Sequence, residues 1–225
     1  MDAAPSQGPG SLPTRFGQVV FSPGRLFQTL RGDPRWFATL LVGALLVALA
    51  LILVPGDIWV QSMREEAAAR GTEIPGFMAS AGPLFRLASA LSAVIFYFLW
   101  AFFLAAILTV FFAFVFGDDV GYKQYLSVVS HGLLITAMGS LLLLPLRILQ
   151  HDPQITLNLG TFFFFLDGGY LSRVLGLLDL FGIWSYMIMA VGVAEMDPRR
   201  GVTLPVGFFL AFALLFALLV GLIPR

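Results

Sequence analysis

One carboxylate stands deep inside an apolar stretch. Asp179 lies about eight residues into the run from Leu171 to Met196, which at 1.5 Å per residue is roughly 12 Å of helix and places it near a membrane midplane. A charged carboxylate at that depth costs about 2.5–3.5 kcal/mol on insertion scales, so it must stay protonated or find a partner. Arg86, Arg147 and Arg173 approach from the same side. Arg173 shares the helix of Asp179 and reaches it poorly, which leaves Arg86 or Arg147. Two roles compete: pinning helices together, which is the commoner use of such a group, and coupling to a proton or an ion. Phe181 and Trp184 are spaced to pack around the carboxylate.

His131 is the other ionisable group within an apolar run, with Ser127 one helical turn away. A proton or metal role is conceivable for such a residue, although a hydrogen-bonded core histidine is more usual. Asp118 and Asp119 could join it as hard-ion ligands, but the spacing is not that of a metal site. There is no cysteine, no second aspartate beside Asp179 and no Gly-x-Ser-x-Gly context for a serine. The sequence therefore predicts no enzyme, no cofactor and no metal.

The elements that must hold these residues are helices in a membrane. The chain is 59% hydrophobic and only 12% charged, its mean hydropathy is +0.91, and soluble domains carry about twice that charge. Residues 1–15 are rich in Pro, Gly and Ser and are expected to be a disordered tail. Ser22-Pro23 reads as a helix start, with Leu26, Phe27 and Leu30 on one side and Arg25 and Gln28 on the other. That pattern predicts an amphipathic helix at the membrane interface. Five apolar segments follow, at about residues 36–54, 84–116, 126–146, 171–194 and 202–223, four near the ~20 residues that cross a bilayer core and the second, at some thirty, long enough that it must tilt or protrude. The expectation is an all-α polytopic membrane protein, a five-helix bundle forming one membrane domain over residues 16–225.

The connections carry further signals. Asp57 to Glu73 holds a charged run with Glu66 and Arg70 at i, i+4, read as a solvated helix stopped at Gly71. Gly132, Thr136 and Ser140 recur every four residues and should present a small-residue ridge to a neighbouring helix. Ile155 to Leu166 is apolar but short of spanning length, which suits an interfacial or re-entrant piece, and Asp167 turns the chain into the fourth segment. No internal inverted repeat and no pair of broken helices is evident, which weighs against a transporter.

Net charge is zero and the 13 basic residues are dispersed, so nucleic-acid binding is excluded. Only Lys123 among them is a lysine; this arginine bias suggests a GC-rich genome and a bacterial inner membrane. No cleavable leader precedes the first segment. With a cytoplasmic N-terminus, Arg15, Arg25, Arg31, Arg35, Lys123, Arg199 and Arg200 lie inside, against Arg64, Arg70, Arg86, Arg147, Arg173 and Arg225 outside. The four arginines before the first segment decide for N-in, C-out.

The order of a proline-broken pre-helix, the Asp33-Pro34-Arg35-Trp36 lead-in, five segments, and the residues Phe21, Pro23, Tyr122, Leu126, Ser127, Leu178, Asp179, Phe181, Ile183, Trp184 and Gly192 resembles the Yip family of small polytopic membrane proteins. The string from Asp179 through Phe181 to Ile183-Trp184 is its most specific part. The resemblance implies a five-span bundle with a cytosolic N-terminus, acting as a membrane scaffold or adaptor without catalysis. Eukaryotic members work with Rab-type GTPases through a long N-terminal region; this chain has only about 35 residues there, which argues against such a partner. The expected partners are the bilayer, other membrane proteins or a second copy. The alternative is a small transporter or ion-coupled permeation unit built on Asp179.

Overall fold

The computed structural model describes residues 10–74, 76, 83–163, 165–166 and 168–223. Its helices are α1 (Leu12–Phe21), α2 (Pro23–Gly32), α3 (Phe37–Leu53), α4 (Gly56–Ala69), α5 (Pro83–Leu108), α6 (Tyr122–Leu142), α7 (Leu144–Leu149), α8 (Gly169–Leu177), α9 (Leu180–Met196) and α10 (Thr203–Gly221). A π-helical stretch, Thr109–Val115, continues α5, and a 3-10 turn covers Leu159–Phe162. The protein is an all-α polytopic bundle. Leu84–Val115, Tyr122–Leu149 and Thr203–Gly221 are long and apolar enough to cross a membrane, and a fourth span arises if Phe37–Leu53 and Gly56–Ala69, bent by 82°, are taken together. Leu180–Met196 is apolar with 17 residues, roughly 25 Å of helix.

The chain falls into two compact units, one of Met1–Val42, Trp100–Thr136 and Leu157–Arg225, the other of Gly43–Leu99 and Ala137–Thr156. In the first, the N-terminal segment is more ordered than its composition suggests. Residues 1–9 of the predicted tail lie outside the described residues, but α1 begins at Leu12, inside the tail's expected bounds, and its Arg15 is buried. The Arg15 Nη1 donates to the Arg35 carbonyl at 3.1 Å, which fastens α1 to the lead-in of α3.

Helix α2 starts at Pro23 as its fixed φ favours, although Ser22 closes no side-chain cap and sends its amide back to the Gln18 carbonyl at 2.9 Å. Leu26, Phe27 and Leu30 are fully buried, and α2 packs along α9. The apolar stripe expected to face lipid is thus closed by protein. The reason is Gly192, where an added Cβ would stand 3.0 Å from two Phe27 ring atoms and 2.7 Å from Val128 Cγ1. This notch lets the Phe27 ring seat between two helices.

The fourth apolar segment is not one helix. It breaks at Leu178-Asp179, between α8 and α9, where a continuous helix was expected. Aspartate is a poor helix-interior residue and a strong N-cap, and here it caps α9, Oδ1 accepting the Gly182 amide at 2.8 Å. The freed backbone groups are met by the short apolar connection, as irregular backbone within a membrane protein requires. Leu159 N–H donates to the Leu178 carbonyl at 3.0 Å and Leu180 N–H to the Leu157 carbonyl at 2.8 Å, forming an isolated antiparallel bridge between Asn158 and Asp179. Leu157 and Leu159, which supply these partners, belong to the connection Ile155 to Leu166 that the sequence suggested as interfacial or re-entrant; its turn residue Asp167 lies outside the described residues. Arg173 on α8 donates to the Gly221 carbonyl at 3.1 Å, and Tyr170 to the Leu218 carbonyl at 2.8 Å, closing the C-terminal turn of α10.

The rest of this unit's core is aromatic. Tyr186 stacks on Phe209 at 5.6 Å. The wider π turn brings the consecutive rings of Phe111 and Phe112 against Phe208, at 5.1 and 5.2 Å.

In the second unit, Gly43 admits the Tyr97 hydroxyl so closely that any Cβ would overlap it. Arg86 donates Nη2 to the carbonyls of Ile52 and Val54 at the end of α3, supplying a cation and donors where helical carbonyls lack partners. Helix α4 carries the expected exposed pair, Arg70 donating to Glu66 at 2.6 Å, and Gly71 ends it with a positive φ of 64°. Arg147 Nε donates to the Ile155 carbonyl at 3.1 Å, holding the turn after α7.

Candidate functional site

Two polar arrangements stand out in the first unit. The deeper one is built around His131, which is fully buried on α6. Its Nδ1 lies 2.8 Å from the Ser127 carbonyl, which can only accept, so the ring proton sits on Nδ1. Nε2, 3.1 Å from the Thr39 hydroxyl, then accepts from it, and Thr39 in turn receives Arg15 Nη1 at 3.4 Å. The result is a one-directional chain from Arg15 through Thr39 and His131 to a backbone carbonyl. It joins α1, α3 and α6, and Phe27 of α2 meets the imidazole edge-on at 6.3 Å. Burial and the neighbouring Arg35 guanidinium pull the pKa of Arg15 down, opposed by Asp33.

The small-residue ridge acts at its first member. The Ser185 hydroxyl of α9 donates to the Gly132 carbonyl at 2.8 Å, and a Cβ on Gly132 would overlap Met189 Cγ. Thr136 is half-buried and bonds its own helix, donating to the Leu133 carbonyl at 2.7 Å. Ser140, also half-buried, belongs to the second unit, as do Arg86 and Arg147. Trp184 is 41% exposed. Asp179 itself is a helix cap at a break.

The second arrangement escaped sequence reasoning. Asp118 has a side chain only 1% exposed and receives Arg200 through Nε, at 2.7 Å to Oδ1 and 3.0 Å to Oδ2, and also through Nη2. The Tyr125 hydroxyl donates to Oδ2 at 3.2 Å. The guanidinium lies over the rings of Phe116 and Phe112, at 5.3 and 5.6 Å. Next to it Asp197 accepts Arg199, by the amide at 2.9 Å and by Nη2 at 2.7 Å. On the neighbouring helix, Arg31 Nε donates to the Glu195 carbonyl at 2.7 Å and Gln28 Nε2 to Glu195 Oε2 at 3.0 Å. The only sequence signal was a pair of loops of opposite sign, Asp118-Asp119 and Arg199-Arg200, each just past an apolar segment. Such loops read as solvated turns unless they are known to meet.

The helix α2 laid on Gly192 of α9 by Phe27, and the Asp179 cap that opens α9, are features of the structure that the sequence resemblance did not foresee. The Yip1 domain model matches residues 17–223, from within α1 to just past the end of α10. The chain belongs to the Yip1 domain family. No curated protein and no solved structure matches it. In this Yip1 domain, the string from Asp179 to Trp184 begins with a cap at a helix break, Pro23 starts the pre-helix, and Gly192 leaves the notch in which its Phe27 seats. Among the described residues, no three His, Asp or Glu side chains converge as a metal site.

The polar end carries a pH dependence whose sign follows from its contacts. The Arg199 guanidinium and amide hold the Asp197 carboxyl well below the usual carboxylate range, against the opposing effect of its burial. A depressed folded-state pKa stabilises the fold above the unfolded value of about 3.9 and loses that contribution as pH falls through the folded one. Asp197→Asn is therefore expected to flatten the stability profile below about pH 4. Thermal unfolding of the detergent-solubilised chain across pH 2–5 checks this; an unchanged acid limb would refute it.

Proposed function

We propose that this Yip1 domain is a non-enzymatic scaffold or adaptor of a bacterial inner membrane. In this reading α3, α5 with its π extension, α6 with α7, α9 and α10 make five crossings, the N-terminus is cytoplasmic and the C-terminus outside. The partners are the bilayer, other membrane proteins or a second copy. One observation carries the proposal: the pre-membrane helix α2 is fixed on α9 by Phe27 and by Arg31 to Glu195. Its polar side therefore stands beside the ends of the apolar helices as a preformed surface, with Asp119, Asp197 and Arg199 lining a hollow next to Arg31. The ionisable groups otherwise suited to chemistry, His131 and Asp118, are engaged in structural bonds. Crosslinking and recovery of partners from the native membrane test it. The scaffold reading expects a defined partner or self-association that is lost when Arg31 and Asp119 are replaced by alanine, and it fails if nothing is recovered above background.

The broken helix at Asp179 favours a second reading, a small ion- or proton-coupled permeation unit, because helix ends within a bundle are used to bind ions. Vesicles reconstituted with the wild-type chain are expected to show no proton or ion flux above empty vesicles. Flux that Asp179→Asn abolishes would replace the scaffold reading. Independently of either, Asp179→Ala removes the α9 cap and is expected to cost about 0.5–2 kcal/mol of stability.

A further inference from the structure

The second unit contains a cavity of about 220 Å³ that no structural role accounts for. Its walls include Trp59 and Met63 of α4 and Phe85 of α5, and its polar lining is Ser62, Glu66, Arg86, Ser89 and Gln154, of which Ser89 donates its hydroxyl to the Phe85 carbonyl at 2.9 Å. Arg86 spends Nη2 on the Ile52 and Val54 carbonyls, while its Nε is buried without a hydrogen-bond partner. Glu66 binds Arg70 through Oε1. The two opposite charges share one cavity yet make no ion pair with each other among the described residues. An arginine donor left unmet in an aromatic-walled hollow asks for an acceptor, and a carboxylate on the same hollow asks for a cation.

The depth of the site narrows the occupant. Arg86 stands at the start of the span Leu84–Val115, and the carbonyls it holds belong to the last residues of α3, where the chain turns by 82° into α4. That is the level at which head groups meet the hydrocarbon, and where tryptophan and arginine commonly sit. The volume equals roughly seven waters at about 30 Å³ each, room for a head group and the first carbons of a chain, not a whole lipid.

We propose that this cavity binds the head group of a phospholipid carrying both a phosphate and a primary ammonium, of the phosphatidylethanolamine type. The Arg86 guanidinium receives the phosphate. Glu66 receives the ammonium, and Trp59, Met63 and Phe85 cover the glycerol end. A site with arginine alone would take any anionic lipid; the carboxylate is what selects the zwitterion.

The test uses the full chain in nanodiscs of equal phosphatidylethanolamine and phosphatidylglycerol, followed by native mass spectrometry of the lipid retained on detergent release. The wild type is expected to retain phosphatidylethanolamine over phosphatidylglycerol by about tenfold. Glu66→Gln is expected to abolish that preference while lipid is still retained. Ser62→Phe, placed on the cavity wall from α4, is expected to abolish retention of both with the melting temperature unchanged. Arg86 also holds the end of α3, so the test uses these two variants and leaves the arginine in place. Retention in the bulk ratio by the wild type, or an unaltered preference in Glu66→Gln, would overturn the proposal. Displacement by millimolar soluble phosphoethanolamine would overturn the assignment to a lipid in favour of a free head-group ligand.

Discussion

Arg200→Gln is expected to destabilise this Yip1 domain by about 3–5 kcal/mol, the cost of stranding one member of a buried ion pair. Asp118 is the member left behind. Its side chain is 1% exposed, and with Arg200 gone it keeps, among the described residues, only the Tyr125 hydroxyl as a side-chain donor. The lost guanidinium also uncovers the rings of Phe112 and Phe116. Asp118→Asn in the same chain should recover much of the loss, because a neutral amide no longer has to be buried as a charge. The measurement is a double-mutant cycle from equilibrium unfolding in micelles. Additivity of the two substitutions, or a single-variant effect below about 1 kcal/mol as for an exposed pair, would refute the pairing. Arg199 is the internal comparison: its side chain is 67% exposed and the backbone amide of residue 199 still donates to Asp197 after substitution, so Arg199→Gln should cost less at neutral pH than Arg200→Gln.

What could be read from the sequence, and what could not, divides along a physical line. Apolar length is a local property. The helices of the spans near residues 84–116 and 202–223 therefore appear close to where hydropathy put them, and the Ser22-Pro23 start of α2 follows from proline's fixed backbone angle. The family motif was likewise visible as a string. Its meaning was not. Asp179 in an apolar run has the same sequence signature whether it sits mid-helix or caps a new one. The deciding partner is the backbone of Leu157 and Leu159, some twenty residues away and carrying no side-chain code for the contact. The four-residue spacing of small residues is a statement about one side of one helix, and Gly132 on that side meets Ser185 and Met189 of α9.

The polar sites needed tertiary pairing. His131 was noticed, but Thr39 and Arg15, its companions, lie about 90 and 115 residues before it and looked like an ordinary span residue and a tail residue. Asp118 and Arg200 lie in separate turns, each of which alone reads as solvated. The sequence placed helices by hydrophobic period, and the break and the buried pairs depend on which helices then touch.

Phe27→Ala should be the most damaging single apolar substitution in the pre-membrane segment, at about 3–5 kcal/mol for a buried phenylalanine. Three features make the site unable to collapse around the loss. The ring is fully buried; it sits in the notch that Gly192 and Val128 leave open; and it meets the edge of His131 at 6.3 Å, so its removal also opens the buried chain from Arg15. Besides the smaller buried side chains Leu26 and Leu30, the remaining tethers of α2 to α9 are polar, Arg31 to the Glu195 carbonyl and Gln28 to its carboxylate, and such bonds contribute only about 1 kcal/mol each. The variant is therefore expected to release α2 before the spans unfold, seen as rapid amide exchange over residues 23–32 with helicity otherwise retained. Gly192→Val gives the same outcome by the opposite route, since its added carbons occupy the notch and push the ring out. If Phe27→Ala leaves exchange in α2 slow, or Gly192→Val melts like the wild type, the helix is held by something other than this contact, and the fixed surface on which the scaffold reading depends loses its anchor.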